Sequence, residues 1–440
     1  MDQGILDRLF KLSQKETDVK TEMLAGLTTF VALAYIIFVN PNILADAGIP
    51  KEAAIASTIW ATALATTLMA VWANFPIAVA PGMGLNAFFA YYVVGVLQLS
   101  WQVALGAVFF SGILFLILTI GGIRQAIIKS VPMNLKCAIG VGIGLFIAFI
   151  GLKNAGIIIA DKATFVTVGH LTKTEPLLAC FGLILTAVLM ARNVKGSMLI
   201  GIITTTILGM FVGAVPTPQG INDIVSFSLP SMMPTFMQLD LIGAWHYGIF
   251  SIIFTFTIVE LFDNMGTLIG LTRKAKLMND KGEIENLDKA LTTDAVGTLT
   301  SAIFGTSTVT SYVESAAGIA EGGKTGLTAL TIAALFLVSL LFAPLIGLVP
   351  GFATAPALIL VGALMMAEIV HVKFDDFTDA LPAFLTIIMM PLTFSIANGF
   401  AFGFISYTFV KVLAGRAKEV SVVMWLVSLA FLANFYMRLH

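Results

Sequence analysis

Charge is what this sequence has least of. Asp, Glu, Lys and Arg make up 11% of its 440 residues, against roughly 25% in soluble chains. That scarcity excludes an ordinary water-soluble domain, and a net charge of −1 points to no nucleic-acid partner. Cysteine is almost missing: Cys137 and Cys180 both lie in apolar stretches and imply no disulfide framework. The four histidines, His170, His246, His371 and His440, are far apart and share no ligand spacing, so no metal and no cofactor is expected. No nucleophile–base pair is evident either, and no enzyme is expected. The first twenty residues are polar and carry Arg8, Lys11, Lys15 and Lys20; no secretory signal peptide is read there.

What is there is hydrocarbon-compatible chain, 58% hydrophobic with a mean hydropathy of +0.98. A bilayer span needs ~20 apolar residues, and helices are the spanning element such runs allow. The expected fold class is therefore an all-α polytopic membrane protein. Apolar segments fall at 22–40, 53–74, 76–96, 102–121, 135–152, 175–192, 195–215, 247–271, 289–304, 305–323, 327–349, 352–370, 380–397 and 399–414, fourteen in all. A further apolar stretch at 420–437 either spans or lies on the surface. The expected organisation is a cytoplasmic N-terminal segment (1–21), a first seven-segment repeat (22–215), a connecting loop (216–246), a second, inverted repeat (247–414) and a C-terminal, interfacial segment (415–440).

The positions of the bases test this count. With the N-terminus cytoplasmic, nineteen Lys and Arg fall on the cytoplasmic side and only Lys51, Lys153, Lys162 and Lys173 on the other, leaving Arg438 unassigned. The asymmetry follows the positive-inside rule and places the chain in the cell membrane. Segments 3 and 10 differ from the rest. Segment 3 contains Pro76, Pro81, Gly82, Gly84 and Asn86; segment 10 runs through Thr306, Ser307, Thr308, Thr310, Ser311 and Glu314. Each begins as a stretch that need not be helical and continues as a helix, and each is third in its half. Paired interrupted segments crossing in opposite directions point to an inverted-repeat transporter with its site at the breaks.

Glu260 and Asp263 are three apart on one helical face, extended by Thr257, Asn264 and Thr267. A charge at mid-bilayer costs about 2.5–3.5 kcal/mol on insertion scales, so this stripe faces protein or water. The competing reading is a buried network that only locks helix packing. Glu314 has a sharper competitor: Ser311-Tyr-Val-Glu314 matches a capping box, in which the glutamate turns back to the helix start. Alternatively, a carboxylate beside a buried half-helix accepts hydrogen bonds from a ligand's N–H groups. Asn86 offers both donors and an acceptor, which suits a polar, planar ligand on which Phe88 or Phe89 could stack. Asp294 is either an anchor or a proton-path residue. Arg273, Lys274, Lys276 and the Lys281/Glu283/Glu285 cluster read as a solvated loop, as do Asp375, Asp376 and Asp379, and Glu368 reads as interfacial.

At these residues the chain resembles a known family. Glu22-Met-Leu-Ala-Gly-Leu-Thr-Thr-Phe30, Tyr35-Ile-Ile-Phe-Val-Asn-Pro41, Gly84-Leu-Asn-Ala-Phe-Phe89, Leu261-Phe-Asp-Asn-Met-Gly-Thr-Leu268 and Ser311-Tyr-Val-Glu-Ser-Ala-Ala-Gly318 resemble the AzgA-like purine permeases. These belong to the nucleobase–cation symporter superfamily that includes uracil permease and the nucleobase–ascorbate transporters. The resemblance spans almost the whole chain. It implies fourteen helices in two inverted repeats, a core domain of segments 1–4 and 8–11, a gate domain of segments 5–7 and 12–14, and short strands in segments 3 and 10 flanking the substrate. It also implies proton-coupled uptake of purine bases.

By motif, the binding carboxylate of the eighth helix falls on Glu260, the adjacent acid on Asp263, the tenth-segment glutamate on Glu314 and the third-segment asparagine on Asn86. Fungal relatives carry Asp at the first of these, so Glu260 keeps the charge and lengthens the reach. Asn-Ala-Phe-Phe looks more like guanine/hypoxanthine members than adenine-preferring ones. The expected substrate-binding set is Glu260, Glu314, Asn86, Asp263, Phe88 and Thr308, with Asp263, Glu260 and Asp294 as proton-coupling candidates. The alternatives are an adenine-preferring permease and an anion transporter of the same architecture; the scarcity of basic residues within the segments argues against the latter. A homodimer is among the open expectations.

Overall fold

Interrupted helices, not uninterrupted spans, set the geometry of the protein. The computed structural model describes residues 5–120, 127, 130–248, 252–275, 277, 284 and 286–438. Eight described helices are long and apolar enough to cross a membrane, with shorter apolar helices beside them. The 22–40 segment is longer than expected and broken: Val19–Leu33 and Ile36–Asp46 meet at Ala34 and Tyr35. The eighth segment, expected over 247–271, is a described helix over Phe254–Lys274, and a separate helix, Leu241–Gly248, precedes it within the stretch expected as a connecting loop. Arg273 and Lys274, expected in a loop, instead form the basic last turn of that helix, where cations suit the helix C-terminus. Lys276, Lys281, Glu283 and Glu285 lie outside the described residues.

The strands expected in segments 3 and 10 are present and meet. β1 is Val79–Pro81. A hairpin that the sequence did not suggest, β2 (Ile158–Asp161) with β3 (Phe165–Val168), forms on a connection. β4 is Val309–Ser311 and pairs antiparallel with β1, Val79 opposite Ser311 and Pro81 opposite Val309. Pro81 lacks an N–H, which a two-stranded edge tolerates. The backbone groups that the pair cannot satisfy are met by side chains. Thr66 Oγ1 both donates to Val79 O and accepts from Val79 N, each at 3.0 Å, and the Tyr312 hydroxyl donates to Pro81 O. Non-helical backbone inside a membrane protein requires such compensation.

Sequence punctuation explains the breaks. Gly305, at φ +91°, ends the helix Leu287–Phe304 in the left-handed region, where glycine carries no Cβ penalty. The chain then runs extended through β4 and resumes as the short helix Ser315–Ala320. That half-helix lies against Val19–Leu33 closely enough that a Cβ on Gly318 would sit 2.3 Å from Ala25 O.

The helices pack in two groups. In the first, Gly326–Ser339 packs on both Val19–Leu33 and Lys51–Leu68, and Leu287–Phe304 packs on Lys51–Leu68 and Trp101–Ile120. The carboxylate of the fully buried Glu22 ties this group together, accepting from Lys324 N at 2.9 Å, Thr325 N at 3.2 Å and Thr328 Oγ1 at 2.6 Å at the start of Gly326–Ser339. It thereby satisfies amides that a helix N-terminus leaves open. In the second group, Met133–Asn154 packs on Gly351–Met365 and Phe377–Leu392, and Thr174–Ala191 on Ser197–Phe211. Helix Val422–Arg438 packs on Ile396–Leu413. The groups touch where Ile36–Asp46 meets Gly351–Met365 and where Met83–Ala87 meets Met133–Asn154.

Candidate functional site

Most residues singled out from the sequence converge on one stretch, Ser307 to Glu314, and they do so from different elements. Glu260, wholly buried, accepts from Thr298 Oγ1 at 2.5 Å, and the same hydroxyl lies 3.3 Å from Val309 O. Asn264, one turn on, accepts from Ser311 N at 3.1 Å and from the Thr310 hydroxyl. Asp294 is buried and accepts from Ser311 Oγ at 3.1 and 3.2 Å. From the other half, Asn86 accepts at Oδ1 from the Ser307 hydroxyl, and Gly82 N donates to Thr308 O at 3.0 Å.

These bonds orient what remains. With its carbonyl oxygen engaged, each amide side chain holds its –NH2 as a donor, and neither Asn86 Nδ2 nor Asn264 Nδ2 has a hydrogen-bond partner among the described residues. Thr308 Oγ1 is likewise buried without one. Buried polar groups are normally bonded, and those left over are places where a ligand or water fits. The site thus offers acceptors on carboxylates and donors on amides. Phe88 is fully buried, stacked on Tyr92 with ring centroids 5.1 Å apart and edge-on to Phe256. Asp263 is on the Phe254–Lys274 helix, but its side chain lies outside the described residues.

The Ser311–Glu314 capping box does not form, although Glu314 stands at the N-cap position of Ser315–Ala320. Ser311 N and Oγ are committed to Asn264 and Asp294, and the short helix has no side-chain cap at Glu314. Instead Tyr35 donates its hydroxyl to Glu314 Oε1 at 2.6 Å. The half-buried Glu314 lines a cavity of about 300 Å³ between the two helix groups, with Ala32 and Val313 on its side and Met190, Met198 and Leu364 opposite. Lys195, also on this cavity, pairs with Glu321 across the groups.

Sequence reasoning missed Tyr35, Thr298 and Thr66. Tyr35 opened one of the quoted motifs without a role being read for it, and Thr298 had a signal only in hindsight, lying four residues after Asp294 on one face. Asp376 and Asp379, expected as solvated, instead pair with Arg416 and with the 1%-exposed Lys411. Glu368 is exposed.

In this helical polytopic membrane fold two short helices meet across a strand pair, and comparison with known proteins makes it a transporter, not an enzyme. The comparisons narrow the class. The Permease family profile Xan_ur_permease matches residues 20–402, and the chain belongs to that family. It is 49% identical over 431 residues to the "Putative permease MJ0326" of Methanocaldococcus jannaschii, covering 98% of each chain. It is 44% identical to the adenine permease AdeP of Escherichia coli K12, covering 98% of this chain and 96% of the relative. With the guanine/hypoxanthine permease PbuO of Bacillus subtilis it shares 42% identity over 97% of this chain and 100% of the relative. The transmembrane domain of the cyanobacterial bicarbonate transporter BicA superposes with a TM-score of 0.62 at 16% identity, covering 86% of this chain and 97% of that one. At that identity the likeness is one of fold.

Proposed function

We propose that this protein imports purine nucleobases, guanine and hypoxanthine foremost, by proton symport across the cell membrane. Its fourteen segments form two inverted repeats, with the first helix group as the core domain and the second as the gate. The N-terminus is cytoplasmic. A purine base carries N–H donors and ring acceptors along one edge, so two carboxylates and an amide can read it. Glu260 and Glu314 accept from ring N–H groups. Asn86 donates, the Thr308 region meets the carbonyl or imidazole edge, and Phe88 flanks the ring. Asp263 belongs to the same set by its place on the helix.

The observation that carries this reading is the attachment of Glu260, Asn86 and Asp294 to the segment that ends in Glu314, beside the cavity. Proton coupling requires a buried carboxylate able to exchange its charge, and Asp263, Glu260 and Asp294 are the candidates. Core moves against gate as a rigid body. An anionic substrate is disfavoured because the buried base Lys411 is already matched by Asp376, Asp379 and Glu419 at a helix end.

The test is uptake of labelled hypoxanthine by cells lacking their own purine carriers, with guanine, adenine and uracil as competitors. Saturable uptake blocked by guanine is expected. Glu314→Gln should lower it at least about tenfold, the worth of one hydrogen bond to a charged group, with the protein still in the membrane. The 44% identity to an adenine permease supports a second reading, adenine preference, which stands if adenine is the strongest competitor. A wild type that moves no base ends both.

A further inference from the structure

We infer that Tyr35 is a positioning residue for substrate: its hydroxyl holds the Glu314 carboxylate in the orientation that meets a ring N–H of the base. The inference rests on the proposed reading of the Glu314 site and deepens it.

Three observations carry it. First, Tyr35 is fully buried at the break between Val19–Leu33 and Ile36–Asp46. A tyrosine with no exposed surface needs a partner for its O–H, and that partner is Glu314 Oε1 at 2.6 Å. Second, the Glu314 carboxylate makes no side-chain cap on its half-helix. The first amides of its half-helix are taken by backbone carbonyls: Ser315 N by Tyr312 O, Ala316 N by Val313 O and Ala317 N by Glu314 O. Third, the same first-half helix grips the other end of the interrupted segment. Asn40, one turn beyond Tyr35, donates to Thr306 Oγ1 at 3.0 Å and to Thr58 Oγ1 at 2.8 Å. The break at Tyr35 is therefore registered against the 306–314 stretch at both ends.

A long carboxylate side chain beside a cavity loses binding energy if substrate must first order it. A charge-assisted bond from a rigid phenol removes that cost, because the tyrosine ring is itself locked by packing. Tyr35 touches the carboxylate, so its effect on the base is exerted through Glu314.

The test is a double-mutant cycle on the full-length protein. Tyr35→Phe, Glu314→Ala and the double variant are compared by hypoxanthine uptake kinetics and by equilibrium binding of labelled hypoxanthine to purified protein. Uptake at trace substrate supplies Vmax/KM where saturation cannot be reached. Tyr35→Phe keeps the ring and should raise KM and Kd about tenfold, the worth of one charge-assisted hydrogen bond, with Vmax within about twofold and an unchanged thermal midpoint. In the Glu314→Ala background the same change should cost less than about twofold, because the group it positions is gone. The inference is overturned if Tyr35→Phe binds as wild type, if its penalty persists undiminished without Glu314, or if only Vmax falls. Impaired Glu314→Ala with normal Tyr35→Phe removes the Tyr35 inference alone. Normal binding by Glu314→Ala removes the reading of the site, and Tyr35 with it.

Discussion

Thr298 shows how much one hydroxyl decides in a dry site. It donates to Glu260 at 2.5 Å, inside a region where no described atom of the glutamate reaches solvent. Removing one donor from a buried carboxylate costs about 1–3 kcal/mol, more when the group is charged. Thr298→Val conserves shape and is expected to reduce uptake about tenfold or more, whereas Thr298→Ser, which keeps the donor, should retain most of it. Equal loss in both variants would mean that packing, not the hydrogen bond, is what position 298 supplies. Glu260, Asp294 and Asn86 were legible in the sequence because polar groups inside apolar segments are costly and therefore used. Tyr35 and Thr298 were not. Tyrosine and threonine sit in apolar helices without penalty, and Tyr35 meets its partner 279 residues away, a pairing that no local pattern encodes. Glu22 stood in the quoted motif, yet its task, capping Gly326–Ser339, emerged only from the packing.

At the scale of elements, the two interrupted segments could be read in advance because Pro-Gly and Ser/Thr runs cannot continue a membrane helix unaided. The ion cluster at the end of the second helix group could not. It joins the start of Phe377–Leu392, the last turn of Ile396–Leu413 and the link before Val422–Arg438. Arg416 donates to Asp376 and, through Nη2, to Glu419 at 2.8 Å, while Lys411 Nζ lies 3.0 Å from both Asp379 and Glu419. The Arg416 guanidinium is the main reason that Asp376 and Glu419 are held below the usual carboxylate range. A depressed carboxylate contributes stability that is present above its unfolded pKa, about 4, and is lost as pH falls through the lower folded value. The thermal midpoint of purified protein should therefore hold from pH 7 to about pH 5 and decline below about pH 4. Arg416→Gln should lower the plateau and flatten the acid decline, with hypoxanthine affinity at pH 7 unchanged. A decline of the same depth in Arg416→Gln would place the acid-sensitive groups elsewhere.

At the scale of the molecule, the two helix groups are held differently at their two ends. At one end lies the cavity with Glu314, bridged by the Lys195–Glu321 pair. Lys195 is 59% exposed, and an exposed pair of this kind is worth little. At the other end the contact is part-buried and shared. Tyr91, from the first group, donates to Asp46 at 2.8 Å and accepts from Asn154 of the second group at 2.8 Å. Phe394, in the left-handed region at φ 51°, packs edge-on to Tyr91, Phe146 and Phe149. Under the proposed orientation that closed end is extracellular, so the conformation is open inward. Alternating access then requires the Tyr91–Asn154 bond to break whenever the outer mouth opens. Tyr91→Phe deletes both hydrogen bonds of the hydroxyl while keeping the ring; the bond to Asp46, within the first group, is lost from both states, whereas the bond to Asn154 is lost from the inward-facing state only. A differential of about 1 kcal/mol shifts the two populations about fivefold. Right-side-out vesicles carrying Tyr91→Phe should show a lower KM for external base, and inside-out vesicles a higher KM, each by a few-fold in opposite directions. A change of the same sign on both faces would show that Tyr91 shapes the site itself and that the outer closure lies in other contacts.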